Sequence, residues 1–277
     1  MINKPAWISR VIVWAGLLTW SSWQSGVMAD EPIKKLILPG EAFLVEGRPS
    51  FIFTPRGNLL PGPRPWVFYA PTLEGYPDDH EKWMHEQILN AGVAVAGIDV
   101  GEGYGSPQGR RLFTAFYEEM TKKRGYAARP CLLGRSRGGL WVTSWACENT
   151  DKVSGIAGIY PVFDLRTYPG IANAAPAYDM TPEQLESKLA VLNPIEQVPK
   201  LVAARIPAFF IHGDEDTVVP LKENSAEFAA RYRSAKAEDA VTLVVVKGQG
   251  HNFWEGFFQC QGLVNFTITC AKDGAKP

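Results

Sequence analysis

The sequence predicts an α/β fold with a mostly parallel sheet that is covered by helices on both faces. Three observations support this prediction. Short apolar runs without polar alternation recur along the chain, stretches with helical spacing of apolar residues separate them, and no repeat or long linker interrupts them. Strands that are buried on both faces are uniformly apolar in this way. The 277 residues, 46% hydrophobic and 21% charged, have the composition of an ordinary globular protein.

The predicted elements begin with short β-rich pieces, and a regular alternation of strands and helices starts at residue 66. The predicted strands are 35–38, 42–46, 50–54, 66–70, 93–98, 131–133, 155–160, 208–211 and 241–246. The predicted helices are 79–90, 108–123, 137–147, 221–234 and 255–270.

One stretch departs from this rhythm. Residues 163–205 are rich in proline and include a short predicted helix, 182–192, with Thr181 as its cap. An insertion of this length between two strands is typical of a lid or cap. We therefore predict a single domain, 30–277, with a cap insertion at about 163–205.

The first 29 residues have the pattern of a signal peptide. Lys4 and Arg10 precede an apolar stretch, 11–20, and Val27-Met28-Ala29 offers small residues for cleavage. The stretch is about half the roughly 20 residues of a membrane span, so no stable membrane insertion is expected after cleavage. The sequence predicts a secreted or periplasmic protein. The net charge of −1 and the absence of a long basic block argue against nucleic-acid binding.

A nucleophile motif lies between a predicted strand and a predicted helix. Gly134, Ser136 and Gly138 form the pattern G-x-S-x-G. A serine on such a sharp turn has a strained backbone, and the two glycines avoid collisions with the neighbouring strand and helix. The turn exposes the hydroxyl at a helix N-terminus, where backbone N–H groups favour a developing anion. Ser136 is therefore the candidate nucleophile.

A serine nucleophile needs a base, and the base needs an acid that orients it. His251 follows a predicted strand in a glycine-rich loop and is the candidate base. The remaining histidines are expected to pack or to shape a turn: His80, His85 and His212. Three neighbouring acids follow the strand between the serine and His251, and spacing alone leaves them open: Asp214, Glu215 and Asp216.

These motifs resemble those of the α/β-hydrolase superfamily, and most of all those of the dienelactone-hydrolase and prolyl-oligopeptidase-like serine hydrolases. The resemblance covers about residues 66–271 and includes a His212-Gly213-x-x-Asp216 segment. In that family the last position of this segment is the triad acid. The resemblance therefore implies a catalytic triad of Ser136, Asp216 and His251, with Asp214 as a turn residue.

Two features depart from the family pattern. The first oxyanion loop usually reads His-Gly, but here it reads Tyr69-Ala70-Pro71-Thr72-Leu73. The resemblance then implies backbone N–H donors from Leu73, or from Thr72 instead, and from Arg137. The nucleophile is also flanked by Arg135 and Arg137, which either bind a negative group of the substrate, such as a uronate, or pair with nearby acids: Glu74, Glu102 or Asp164.

The resemblance implies an exported serine hydrolase that cleaves carboxylic esters, including acyl groups on carbohydrates, through an acyl-enzyme. A small-molecule or carbohydrate ester is the expected partner. The implied mechanism needs no metal or organic cofactor, and the cysteines lack the spacing of a zinc site. A serine peptidase is the alternative, although only about 36 residues separate residue 29 from residue 66, where full prolyl oligopeptidases carry a propeller. A non-catalytic binding member of the fold is the third hypothesis.

Overall fold

A computed structural model of the chain describes Met1 and residues 33–55 and 62–276. Within these residues, eight strands form one sheet: β1 Gly40–Val45, β2 Arg48–Phe53, β3 Trp66–Ala70, β4 Ala94–Ile98, β5 Cys131–Arg135, β6 Gly155–Ile159, β7 Ala208–Gly213 and β8 Val241–Val246. The spatial order is β1-β2-β4-β3-β5-β6-β7-β8. Pairing is antiparallel for β1–β2 and β2–β4 and parallel for every other pair. The predicted mostly parallel sheet is confirmed.

Helices cover both faces of this sheet. Their bounds are α1 Lys82–Asn90, α2 Pro107–Glu118, α3 Gly138–Glu148, α4 Ile171–Ala174, α5 Pro182–Glu186, α6 Leu189–Leu192, α7 Pro194–Ala203, α8 Glu227–Ser234, α9 Glu255–Phe258 and α10 Gln261–Gly274. The sheet and these helices lie in the compact unit Pro32–Pro277.

The core consists of two layers because successive side chains of a strand point to opposite faces. Strand β3 shows this directly. Trp66 and Phe68 belong to the hydrophobic cluster under α2, α3, α7 and α8, whereas Val67 and Tyr69 belong to the cluster under α1 and α10. All five residues of β3 are buried, as its uniformly apolar sequence predicts.

Three predicted elements differ from the structure. Residues 35–38 are not a strand, because the antiparallel edge begins only at Gly40. The predicted helix 182–192 is divided into α5 and α6, and Thr181 caps α5 through its side chain. The predicted C-terminal helix is divided into α9 and α10, with Cys260 at the start of α10.

The predicted cap insertion, residues 163–205, has two parts with different positions in the fold. Its last part, α7, buries Ile195, Val198 and Leu201 in the cluster that covers the sheet. This helix is therefore the crossover between β6 and β7, and it belongs to the helical layer rather than to a lid. Tyr168, from the first part of the insertion, reaches the cavity beside Ser136.

The predicted signal peptide, residues 1–29, lies outside the described residues apart from Met1. In the part of the chain that the structure describes, no helix is both long and apolar enough to cross a membrane. All four cysteines are free thiols, three of them buried.

A buried ion pair joins β5 to the turn before α1. The Arg135 side chain is 4% exposed, and its Nη1 lies 2.8 Å from Oε2 of Glu81 and 2.8 Å from Oδ2 of Asp78. Glu81 is fully buried and also accepts a hydrogen bond from the Tyr69 hydroxyl at 2.7 Å. Burial raises the pKa of Glu81, and the Arg135 guanidinium and the Tyr69 hydroxyl oppose this rise. Arg135 and Tyr69 thus offset part of the cost of burying this carboxylate.

We expect Arg135→Met to lower the free energy of unfolding by about 3–5 kcal/mol, because it leaves a buried carboxylate without its cation. Arg111→Met is the matched control. It removes an ion pair with Glu46 in which both side chains are about half exposed, so a loss below about 1 kcal/mol is expected. Urea unfolding at pH 7 measures both variants. Equal losses of unfolding free energy in the two variants would show that the buried ion pair contributes no more to stability than the exposed one.

His85 provides a second test of the core. Its ring is fully buried against Tyr69 and Phe53, and neither ring nitrogen has a hydrogen-bond partner. Burial, with a smaller contribution from Arg135, lowers the pKa of His85 to about 3. Between the ordinary value of 6.5 and about 3, the unfolded chain binds a proton that the folded chain does not, so stability falls as pH falls.

We therefore expect His85→Leu to stabilise the protein at pH 7 by about 1–3 kcal/mol, because it removes polar atoms that are buried without partners. In the wild type, protonation of His85 in the unfolded chain lowers the free energy of unfolding by up to about 1.4 kcal/mol per pH unit below pH 6.5. This contribution should be absent from the variant. Urea unfolding at pH 7, 6 and 5 measures both effects. His80→Gln, at an exposed position, is the control. If the free energy of unfolding of His85→Leu depended on pH as strongly as that of the wild type, the lowered pKa of His85 would be contradicted.

Candidate active site

The turn between β5 and α3 carries Ser136 with a left-handed backbone, φ +50°. A Cβ on Gly134 would lie 2.9 Å from the backbone of Gly139, and a Cβ on Gly138 would lie 2.2 Å from the carbonyl oxygen of Ala70. Larger residues at these two positions would push α3 away from the sheet. The predicted strained turn is confirmed, and so is the need for both glycines.

The structure brings Ser136 together with His251 and Asp216. Ser136 Oγ lies 2.9 Å from Nε2 of His251, and Nδ1 of His251 lies 2.7 Å from Oδ2 of Asp216. A histidine whose Nδ1–H donates to a carboxylate keeps Nε2 as an acceptor. The arrangement can therefore take the proton from the serine hydroxyl.

Asp216 is fixed from several sides. Its Oδ1 accepts the backbone N–H groups of Val218 at 3.0 Å and of Val219 at 2.8 Å, and His212 Nε2 is 3.3 Å from Oδ2. Burial alone would raise the pKa of Asp216, but hydrogen bonds from His212, His251 and Val219 lower it well below its usual value. This carboxylate therefore stays negative across the whole neutral range.

The neighbouring acids and histidines have other roles. Asp214 accepts the backbone N–H of Gly248 at 2.7 Å, and so it stabilises the loop turn as the resemblance implies. Glu215 is exposed. His212 is fully buried, with Nδ1 2.8 Å from Ser225 Oγ and Nε2 2.8 Å from the carbonyl oxygen of Val219. Its predicted role in shaping the turn agrees with these contacts.

A cavity of about 220 Å³ opens above Ser136 and His251. Its walls also include Arg135 and Arg137 and several residues that were not predicted as site residues: Pro71, Tyr76, Tyr160, Tyr168, Val218, Asn252 and Phe253. Tyr160 directly follows β6, at the same edge of the sheet as Ser136, and its ring packs 4.3 Å from the ring of His251. That position after a parallel strand was a usable signal, whereas nothing in the sequence around Tyr76 or Tyr168 marked them.

The lining of the cavity bears on the predicted oxyanion loop. Among the described residues, Leu73 does not line the cavity, and Pro71, which does, has no N–H to donate. Thr72 is fully buried, and its hydroxyl donates to the carbonyl oxygen of Tyr69 at 3.2 Å. The geometry therefore does not support Leu73 as a donor. The backbone of Arg137 lies directly before α3, as predicted.

Both arginines beside the nucleophile form internal ion pairs. Arg135 pairs with Asp78 and Glu81 rather than with any of the predicted acids, so a role in binding substrate is not supported for it. Arg137 Nη1 lies 2.6 Å from Glu102 Oε1, one of the acids that the sequence offered. Of the described residues, no group of three or more His, Cys, Asp or Glu side chains is arranged to hold a metal ion.

The chain has the fold of several solved hydrolases. It is similar to a puromycin-hydrolysing peptidase of Mycobacterium tuberculosis, with a TM-score of 0.64 and 16% identity over 83% of this chain and 40% of that one. Est1E of Butyrivibrio proteoclasticus gives a TM-score of 0.61 and 19% identity, over 83% of this chain and 98% of that one. The S-formylglutathione hydrolase FrmB of Staphylococcus aureus gives a TM-score of 0.61 and 11% identity, over 83% of this chain and 97% of that one.

The chain thus spans less than half the length of the peptidase, and at these identities the likeness concerns the fold alone. No protein of curated function matches the sequence. A family model supplies the stronger result, since the model of the prolyl oligopeptidase family matches residues 113–263, more than half of the chain. The protein is therefore a serine hydrolase with the α/β-hydrolase fold, and it belongs to the prolyl oligopeptidase family.

Proposed function

We propose that this serine hydrolase cleaves small carboxylic esters, including acyl groups on carbohydrates, with Ser136 as nucleophile, His251 as base and Asp216 as orienting acid. The observation that carries the proposal is the pair of hydrogen bonds in series, Ser136 Oγ to His251 Nε2 at 2.9 Å and His251 Nδ1 to Asp216 Oδ2 at 2.7 Å. A chain of this kind activates a serine hydroxyl for attack on an acyl carbon.

The reaction follows from these positions. Ser136 Oγ attacks the ester carbonyl while its proton passes to Nε2 of His251, and Asp216 stabilises the imidazolium that forms. The tetrahedral intermediate then loses the alcohol, whose oxygen takes the proton from His251, and the acyl group remains on Ser136. Water then attacks the acyl carbon while His251 takes its proton, and His251 returns that proton to Ser136 Oγ. The carboxylic acid is released and the serine hydroxyl is restored.

The negative oxygen of the intermediate needs hydrogen-bond donors. The Arg137 backbone N–H is one candidate, because Arg137 lies between Ser136 and the first residue of α3. Tyr76 lies in the loop after β3 and lines the cavity. We propose its hydroxyl as the second donor, in place of the backbone of Leu73. In comparable sites one such donor contributes about 3–4 kcal/mol to catalysis.

An ester is favoured over a peptide by the charges around the cavity. A peptidase that binds a chain end needs a charged group that is available to that end, but the carboxylates nearest the two cavity arginines are already paired: Asp78, Glu81 and Glu102. The cavity of about 220 Å³ also suits a small group better than an extended peptide. The peptidase alternative is supported by the family and by the structural likeness to the mycobacterial puromycin-hydrolysing peptidase.

Export is a further proposal, and the sequence of residues 1–29 alone supports it. N-terminal sequencing of the mature protein tests it directly. Asp30 is expected as the first residue, and an intact Met1 would refute cleavage.

We expect Ser136→Ala to reduce kcat for a small ester by about 10⁴-fold or more, because the nucleophile is lost. Asp216→Asn should reduce kcat by about 10⁴-fold, since it disturbs the histidine tautomer. Asp214→Asn is the matched control two residues away, where a change below about tenfold is expected. Circular dichroism confirms that each variant is folded. A larger loss for Asp214→Asn than for Asp216→Asn would reverse the assignment of the acid.

A panel of substrates distinguishes esterase activity from peptidase activity. We expect hydrolysis of an acetylated sugar and of simple alkyl acetates, and no cleavage of chromogenic dipeptides by the same enzyme. A uronate ester and its neutral sugar analogue belong in the panel, because Arg137 lines the cavity. The pair with Glu102 predicts less than about threefold preference for the uronate, with the same ratio in Arg137→Gln. A peptide preference would overturn the ester proposal.

A further inference from the structure

A lysine from the segment before β1 binds the loop that follows β3. Lys34 Nζ donates hydrogen bonds to the backbone carbonyl oxygens of Leu73 at 3.0 Å and of Thr72 at 3.3 Å. An ammonium has three donors and no acceptor, so one lysine can hold two carbonyl oxygens together. The partners lie 39 and 38 positions further along the chain, so only the folded protein brings them to the lysine.

The segment that carries Lys34 is itself fixed against the core. Leu38 is buried in the hydrophobic cluster under α1 and α10, and Leu36 packs against the same cluster. Lys34 is partly buried, and burial lowers the pKa of its ammonium, whereas the charges of Asp99 and Glu74 oppose this fall. These two acids favour the charged form of the lysine, which is the stronger hydrogen-bond donor.

One of the two carbonyl oxygens also closes the turn that leads to Tyr76. The backbone N–H of Tyr76 donates to the carbonyl oxygen of Leu73 at 2.9 Å, so this oxygen accepts from both Tyr76 and Lys34. Gly75, at the third position of the turn, has a left-handed backbone, φ +79°, which favours glycine there. Lys34 therefore bears directly on the position of the backbone at Tyr76.

The Tyr76 ring lies against both arginines beside the nucleophile. The guanidinium carbon of Arg135 is 5.1 Å from the ring centroid, and that of Arg137 is 5.8 Å away. These contacts orient the ring, whereas the turn at Leu73 fixes the backbone from which the ring extends to the cavity wall. Position matters for an oxyanion donor, because a misplacement of about 1 Å can cost roughly 10²-fold in rate.

We propose that Lys34 is a positioning residue for ester hydrolysis, because it fixes the turn 73–76 and thereby places the Tyr76 hydroxyl at the oxyanion. This inference rests on the proposed function, which assigns Tyr76 as an oxyanion donor. Among the described residues, Lys34 does not line the cavity, so it acts only through the turn. Its contribution arises in the transition state, where the oxygen becomes negative, and not in binding of the neutral ester. Loss of Lys34 therefore lowers kcat and leaves KM nearly unchanged.

The test is a double-mutant cycle between Lys34 and Tyr76, with ethyl acetate as substrate. We expect Tyr76→Phe to lower kcat by about 10²–10³-fold, the effect of one oxyanion donor, and Lys34→Met to lower it by about tenfold with KM changed less than about twofold. Since Lys34 acts through the Tyr76 hydroxyl, the double variant should be no slower than Tyr76→Phe alone. Lys34→Arg keeps a cationic donor and should restore most of the lost kcat. Lys35→Met, at the exposed neighbouring lysine, is the matched control and should leave kcat unchanged.

The outcomes separate this inference from the proposal on which it rests. Hydrolysis of ethyl acetate by the wild type, and its loss in Ser136→Ala, reports ester cleavage by the triad alone. An unchanged kcat in Tyr76→Phe overturns the donor, and the role of Lys34 with it. An unchanged kcat in Lys34→Met, or losses that multiply in the double variant, overturns the role of Lys34 while Tyr76 stands. Circular dichroism checks folding, and Lys34→Gln, which lacks the charge, takes the place of Lys34→Met in the cycle if that variant does not fold.

Discussion

The close packing of β5 against the start of α3 is the constraint on which the site depends. It allows no side chain at Gly134, the end of β3 at Ala70 allows none at Gly138, and Ser136 between them has a left-handed backbone that costs about 1–3 kcal/mol. Neighbouring segments hold the turn: the N–H of Ser136 donates to Ile159 at 2.9 Å, and its carbonyl oxygen accepts from Val162 at 2.9 Å. Strand β6 and the loop after it therefore secure the strained position of the nucleophile.

The parallel sheet brings the remaining site residues to the same edge. Strands β7 and β8 both end there, and the two loops that follow them are in direct contact. A Cβ on Gly213 would lie 2.0 Å from the carbonyl oxygen of Gln249, and the N–H of Glu215 donates to that oxygen at 3.0 Å. The loops that carry Asp216 and His251 thus behave as one unit. The short distances between the two side chains follow from this backbone contact.

The sequence was sufficient where local chemistry decides the structure and insufficient where distant residues meet. Uniformly apolar runs identified the inner strands, and the glycines around Ser136 identified the turn. The division between α9 and α10 was missed because apolar spacing continues across Cys260. The role of α7 was missed because its prolines suggested a cap, although its apolar face packs on the sheet. No local pattern joins Arg135 to Glu81, which lie 54 residues apart and meet only through the fold.

The central claim is that Ser136 is an activated nucleophile. Labelling with a fluorophosphonate tests it most directly, because the reagent phosphonylates an activated serine oxygen and releases fluoride, with no dependence on the choice of substrate. Intact-mass measurement followed by peptide mapping should find a single adduct, on the peptide that contains Ser136, and none in Ser136→Ala. An adduct on another residue, or equal labelling of the Ser136→Ala variant, would contradict the account.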